Sequence, residues 1–127
     1  MERAELNAWL RLTLTPGVGN ITARKLLAAF GSPEAIFNQS DAALRQVGNS
    51  KLIEAIRHLP EGLPALLDST QAWLAAGDDR CVAVLGDAAY PRSLLDIEDP
   101  PLMLYMLSSQ LKWAQAAMNN EIGRAHV

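Results

Sequence analysis

The stretch Leu14-Thr15-Pro16-Gly17-Val18-Gly19-Asn20-Ile21-Thr22-Ala23-Arg24-Lys25-Leu26-Leu27 decides how the first half of the chain folds. Pro16 lacks an N–H and disfavours helical geometry in Thr15, so a helix arriving from the N-terminal side stops there. Gly17 and Gly19 flank one apolar residue and can take backbone angles that a side chain forbids, which predicts a very tight reversal. Val18 is expected to point into the core and pin the turn. The exposed N–H groups of the turn and those opening the next helix make an anion-sized concavity. A nucleic-acid phosphate is its natural guest, with Arg24 and Lys25 adding charge about one turn further on. A glycine-rich connector whose only task is packing is the competing reading.

Helices are predicted on both sides. Leu6, Trp9, Leu10 and Thr13 share one face at helical spacing over residues 5–14. Ile21, Leu26, Leu27 and Phe30 do so over 21–30, with Gly31 as the C-cap. Ser32-Pro33-Glu34 reads as an N-cap, a first-turn proline and an acid suited to the helix dipole, opening a short helix to about Asn38. Ser40 caps a fourth helix carrying Leu44 and Val47, and Gly48-Asn49-Ser50 separates it from a fifth, Lys51 to about Leu59. Leu44 to Ile56 therefore repeats the order helix, glycine turn, helix. Gln46 stands where the first hairpin has its first glycine, so the second turn should be looser and its phosphate site poorer.

Beyond Pro60-Glu61-Gly62-Leu63-Pro64, the clearest linker signal, a helix is expected from Pro64 to Ala76. Cys81-Val82-Ala83-Val84-Leu85 and Leu102-Met103-Leu104-Tyr105-Met106-Leu107 then read as buried strands, with one helical turn at Tyr90–Leu95 between them. The fold class is mainly α: five or six helices, then the opening strands of an α/β domain. Two strands do not make a stable sheet by themselves, so the second unit reads as unfinished.

Composition narrows the function. The 127 residues carry 11 Lys plus Arg against 14 Asp plus Glu, a net charge of −3, and half are apolar. That balance is globular and not that of a disordered chain. No apolar run nears the roughly 20 residues needed to cross a bilayer, and no secretory signal opens the chain. A cytoplasmic protein without membrane partners is the expectation. One cysteine, Cys81, and two histidines, His58 and His126, exclude an intrachain disulfide and a Cys/His zinc site. Charge is unevenly placed, at +2 over residues 1–60 and −5 over 61–127, so nucleic-acid contact belongs to the first half and should be local.

The Pro-Gly-Val-Gly turn, with Thr22-Ala23 and Lys25-Leu26-Leu27 behind it, resembles the helix-hairpin-helix motif of DNA-binding and DNA-repair proteins. Two such hairpins in tandem resemble the compact SAM-like domain shared with the excision nuclease C subunit. Gly86-Asp87-Ala88-Ala89-Tyr90-Pro91, Leu94-Leu95 and Asp99-Pro100-Pro101 in turn resemble the opening of the Rossmann-like domain of the DNA-processing protein A (DprA or Smf) family. The resemblance runs from Leu6 to about Leu107, and Phe30-Gly31-Ser32-Pro33-Glu34-Ala35 fits the same family. It divides the chain into a helix-hairpin-helix domain at 1–60, a linker and helix at 61–80, a truncated Rossmann-like start at 81–110 and a poorly matched tail at 111–127.

What the resemblance implies is a non-enzymatic protein of natural transformation. Such a protein binds incoming single-stranded DNA, loads the RecA recombinase on it, and forms a homodimer when full length. The family's main DNA pocket contains a Gly-Ser-Arg motif that does not occur in this chain. The expected nucleic-acid-binding residues are Gly17, Val18, Gly19, Thr22, Arg24, Lys25, Gly48 and Lys51, with no catalytic residue, cofactor or metal. The alternatives are a freestanding double hairpin that binds the DNA backbone without sequence preference, and a purely structural interaction domain. Ile122 to Val127 matches the translation of a common sequencing adapter (ATC GGA AGA GCA CAC GTC), so 121–127 is set aside from the fold.

The remaining candidates have plain explanations. Cys81 reads as a small buried apolar residue, and His58 as a partner of a helix C-terminus. Asp78-Asp79 and Glu98-Asp99 read as solvated turn acids, and Asp87 as a sheet-top acid with no crevice to face. No phosphate-loop motif supports nucleotide binding. Trp9, Trp73 and Trp113 are too dispersed for a base-stacking platform, so core packing is expected of each.

Overall fold

The computed structural model describes residues 1–107. The tail at 111–127, Trp113 and His126 lie outside the described residues. Six α-helices are followed by two strands: α1 Arg3–Leu14, α2 Asn20–Phe30, α3 Pro33–Phe37, α4 Asp41–Arg45, α5 Ser50–Arg57, α6 Leu63–Ala75, β1 Arg80–Val84 and β2 Met103–Leu107. The chain divides between Thr70 and Gln71, inside α6, into two compact units.

In the first unit every one of α1 to α5 sends at least one aliphatic side chain to full burial: Leu12, Leu26, Ile36, Leu44 and Ile56 are each 0% exposed. α1 and α2 both pack on α3, and α4 packs on α5. Two of these helices are only five residues long, too short to persist alone. Their ends are capped as the serines predict: Ser32 Oγ accepts from Ala35 N and Ser40 Oγ from Ala43 N, both at 3.2 Å. Gly31 closes α2 at φ +94°, and its N–H donates to Leu27 O.

The buried face of α2 differs from expectation. Ala23 and Leu26 are fully buried, whereas Ile21 is 60% exposed and Leu27 and Phe30 are half-buried. Ile21 lies in the first turn, where the helix has just left the tight reversal and projects beyond the core. In α1, Leu6, Trp9 and Leu10 are buried as expected and Thr13 is exposed.

Two arginines tie the helices together. Arg11 on α1 donates from Nη2 to Ile56 O on α5 at 2.8 Å and lies 4.0 Å above the Phe37 ring on α3. Burial, and then repulsion from Arg57, holds its guanidinium below the ordinary arginine range. Arg57 donates to Asp41 Oδ1 at 2.9 Å and to the carbonyls of Phe37 and Gln39, clamping α5 to the α3–α4 connection.

In the second unit β1 and β2 pair antiparallel, with Val82 opposite Tyr105. The pairing is that of a hairpin with a long connection, and no parallel crossover is present among the described residues. Burial rises along β1: Arg80 to Val82 are half-exposed and only Ala83 and Val84 are buried, so the strand is less enclosed than its apolar run implies. Cys81 is accordingly half-buried, not core. Between the strands, the turn at Arg92–Asp96 is a short 3-10 helix led by Pro91.

The segments around Gly86 and Pro100 form a latch. Gly86 turns the chain at φ +92°. Leu85 N then donates to Leu102 O at 2.9 Å, and the buried Tyr90 gives its hydroxyl to Pro101 O at 2.7 Å. Asp87 is exposed and its Oδ1 accepts from Ala89 N at 3.4 Å, so the acid shapes this turn. Trp73 and Tyr105 pack with ring centroids 5.5 Å apart, and Arg80 lies over Trp73.

Three substitutions test this arrangement by denaturant unfolding. Ile36→Ala, which empties a fully buried site, is expected to cost about 2–5 kcal/mol. Ile21→Ala is expected to change stability by less than about 0.5 kcal/mol, because its side chain is exposed. Tyr90→Phe, which leaves the Pro101 carbonyl without its donor, is expected to cost about 1–3 kcal/mol.

Candidate functional site

The first hairpin turn is built by Thr15-Pro16-Gly17-Val18. Pro16 forces Thr15 into extended backbone (φ −64°, ψ 114°), which ends α1. Thr15 itself is buried and returns its hydroxyl to Arg11 O at 2.6 Å. Val18 N donates to Thr15 O at 3.3 Å, and Gly17 has φ +81°. Proline at the second position, glycine with positive φ at the third and this closing bond are the marks of a type II turn. Gly17 is therefore required by its conformation.

Gly19 is not. It sits at φ −77°, ψ 173°, extended backbone open to any residue, and a Cβ built on it meets nothing within 4 Å. The expectation that both glycines need forbidden angles holds for Gly17 alone. Gly19 is the N-cap of α2 and, having no side chain, supplies no side-chain cap. Val18 is half-buried, less enclosed than a residue pinned in the core.

The second turn uses another device. Gln46 continues α4 in helical geometry (φ −69°, ψ −22°), and Val47 N and Gly48 N both donate to Leu44 O at 3.0 Å. Gly48 needs no positive φ; its constraint is space. A Cβ there would press into the Leu52 side chain, 3.0 Å from Leu52 Cβ and closer still to Cδ2. Asn49 caps α5 by accepting from Leu52 N at 3.2 Å.

The two turns meet around one cleft of about 380 Å³. Gly17, Thr22 and Lys25 line it from the first hairpin, and Val47, Gly48, Asn49, Lys51 and Leu52 from the second. Five of the expected residues, Gly17, Thr22, Lys25, Gly48 and Lys51, are thus brought together. Val18, Gly19 and Arg24 do not line it; Arg24 is half-buried and already engaged. Asn49, Val47 and Leu52 were missed, although the Asn49-to-Leu52 spacing is itself an N-cap signal.

Charge is sorted around this cleft. Arg3 pairs with Asp68 at 3.3 Å, Arg57 with Asp41, and Arg11 is taken up by Ile56 O and Phe37. Lys25 and Lys51 are exposed and, among the described residues, have no acidic partner. No carboxylate lines the cleft. Two lysines, a threonine hydroxyl and an asparagine amide line it and give the cleft a donor-rich chemistry that suits an anion. Among the described residues no group of three or more His, Cys, Asp or Glu is placed to hold a metal ion, and no helix is long and apolar enough to cross a membrane. His58 is the exposed C-cap of α5.

No protein-family model, curated protein or solved structure matches this chain.

The three glycines separate by mechanism under thermal or denaturant unfolding. Gly17→Ala should cost about 1–2 kcal/mol from its left-handed backbone. Gly48→Ala should cost about 1–3 kcal/mol from overpacking against Leu52. Gly19→Ser should be neutral or stabilising by a few tenths of a kcal/mol, roughly the margin of serine over glycine at an N-cap.

Proposed function

We propose that the helical unit is a tandem helix-hairpin-helix module that holds nucleic-acid phosphate in the cleft between its two turns. The observation that carries this reading is the convergence of Lys25 and Lys51 on a cleft without acids, while the unit's paired arginines lie elsewhere. Backbone recognition of this kind needs donors and positive charge but no groove-reading side chains, so it is indifferent to base sequence.

The wider reading places the chain with DNA-processing protein A, as a single-stranded DNA-binding protein that hands its strand to RecA and has no catalytic chemistry of its own. The order of the segments supports it: a hairpin module comes first, then Gly86–Pro91 and Asp99–Pro101. The Tyr90–Pro101 bond supports treating those two segments as one structural signature. A SAM-like domain followed by the start of a Rossmann-like domain is the corresponding fold. The freestanding double hairpin shares the same cleft and differs in preferring duplex.

Binding of fluorescent single- and double-stranded DNA, titrated against salt, tests both. Two lysine charges set against nucleic-acid phosphate predict that log K falls against log[salt] with a slope of up to about −1.4 on single strands. Lys25→Ala and Lys51→Ala should each remove about half of that slope, and the double variant nearly all of it. A slope untouched by the double variant would remove the cleft from the interface, and tighter binding to duplex would favour the freestanding module.

A further inference from the structure

Lys25 and Lys51 are the charged side chains that line the cleft, and no longer row of cations continues from them along its lining. Proteins that follow a continuous strand lay a row of cations beside successive phosphates. In this unit Arg3, Arg11 and Arg57 are committed to Asp68, to the Ile56 carbonyl and to Asp41, and Arg24 is engaged. Apart from Lys25 and Lys51, the one basic side chain of residues 1–70 without a described partner is Arg45, which does not line the cleft. The two lysines that line one cleft carry more charge than the single negative charge of an internal phosphodiester. They match a phosphate monoester, which carries about −1.5 to −2 at pH 7 and offers three terminal oxygens. The lining residues carry donors for three oxygens: Lys25, Lys51, the hydroxyl-bearing Thr22 and Asn49, whose amide oxygen already accepts from Leu52 N and leaves its NH2 as donor.

Resting on the phosphate-binding reading above, we propose that the cleft is selective for the terminal phosphomonoester of a nucleic-acid strand over an internal phosphodiester. The second ionisation of a phosphomonoester lies near pH 6, at about the middle of the accessible range. No histidine or carboxylate lines the cleft, and Lys25 on α2 and Lys51 on α5 are its charged groups, so the ligand's own ionisation dominates the pH response.

The test uses the full chain and short oligothymidylates carrying a 5′-phosphate, a 3′-phosphate or hydroxyls at both ends, the fluorophore being on the opposite end in each single-phosphate strand. A strand with a terminal phosphate is expected to bind about tenfold more tightly than the all-hydroxyl strand. That preference should grow as pH rises from 5 to 7 and vanish in the Lys25→Ala, Lys51→Ala double variant. Comparison of the two phosphorylated strands identifies which end is recognised. Equal affinity for all three strands that still depends on the lysines would overturn terminal selectivity while leaving phosphate binding intact. Affinity independent of the lysines, or no binding to any strand, would overturn both.

Discussion

The guanidinium of Arg11 holds the two hairpins together. It leaves α1, crosses the Phe37 ring on α3 and ends on the Ile56 carbonyl of α5. One side chain thereby joins the first helix of one hairpin to the second helix of the other. The bond is made close to the C-terminus of α5, where helix carbonyls lack amide partners and favour positive charge. The cost is visible in the same residue: burial and the nearby Arg57 work against its charged form, and Arg11 Nε is buried without a hydrogen-bond partner. An apolar side chain of similar size would relieve that repulsion but would leave the Ile56 carbonyl without its donor. The cleft depends on this join, because its walls come from opposite hairpins.

Local grammar carried most of the first unit. Proline before glycine, serine before proline, and glycine after an apolar run each act within four residues, and the turns and caps at Thr15–Gly17, Ser32, Ser40 and Gly31 follow from them. The partnership of Arg11, Phe37 and Arg57 was not legible, since these residues stand 20 or more positions apart and no periodicity links them. The exposure of Ile21 was hidden for a related reason. Helical spacing defines a face, but the reach of the core along that face is set by neighbours in space.

The candidate site was legible in its parts and not in its assembly. Each glycine turn was identifiable, yet the sequence treats them as two separate phosphate sites of unequal quality. In the fold they contribute to one cleft, and the looser second turn supplies the larger share of its lining. The two key glycines also proved different in kind, one serving backbone geometry and the other side-chain clearance. A sequence pattern records both with the same letter. In the second unit, the motif with the most chemically suggestive residues, Asp87 and Tyr90, turned out to close a loop. The resemblance built on it stands as a proposal about ancestry, while the residues themselves have structural work.

A cleft divided between two hairpins also behaves as a sensor of their docking. Any anion that bridges the walls adds its binding free energy to the junction between the hairpins, on top of the aliphatic core and the Arg11 bond. Conversely, whatever loosens that junction lowers apparent affinity in proportion to the fraction of molecules with the walls apposed. Ligand occupancy and the integrity of the small helical core are thus two readings of a single equilibrium, coupled through contacts that no ligand touches.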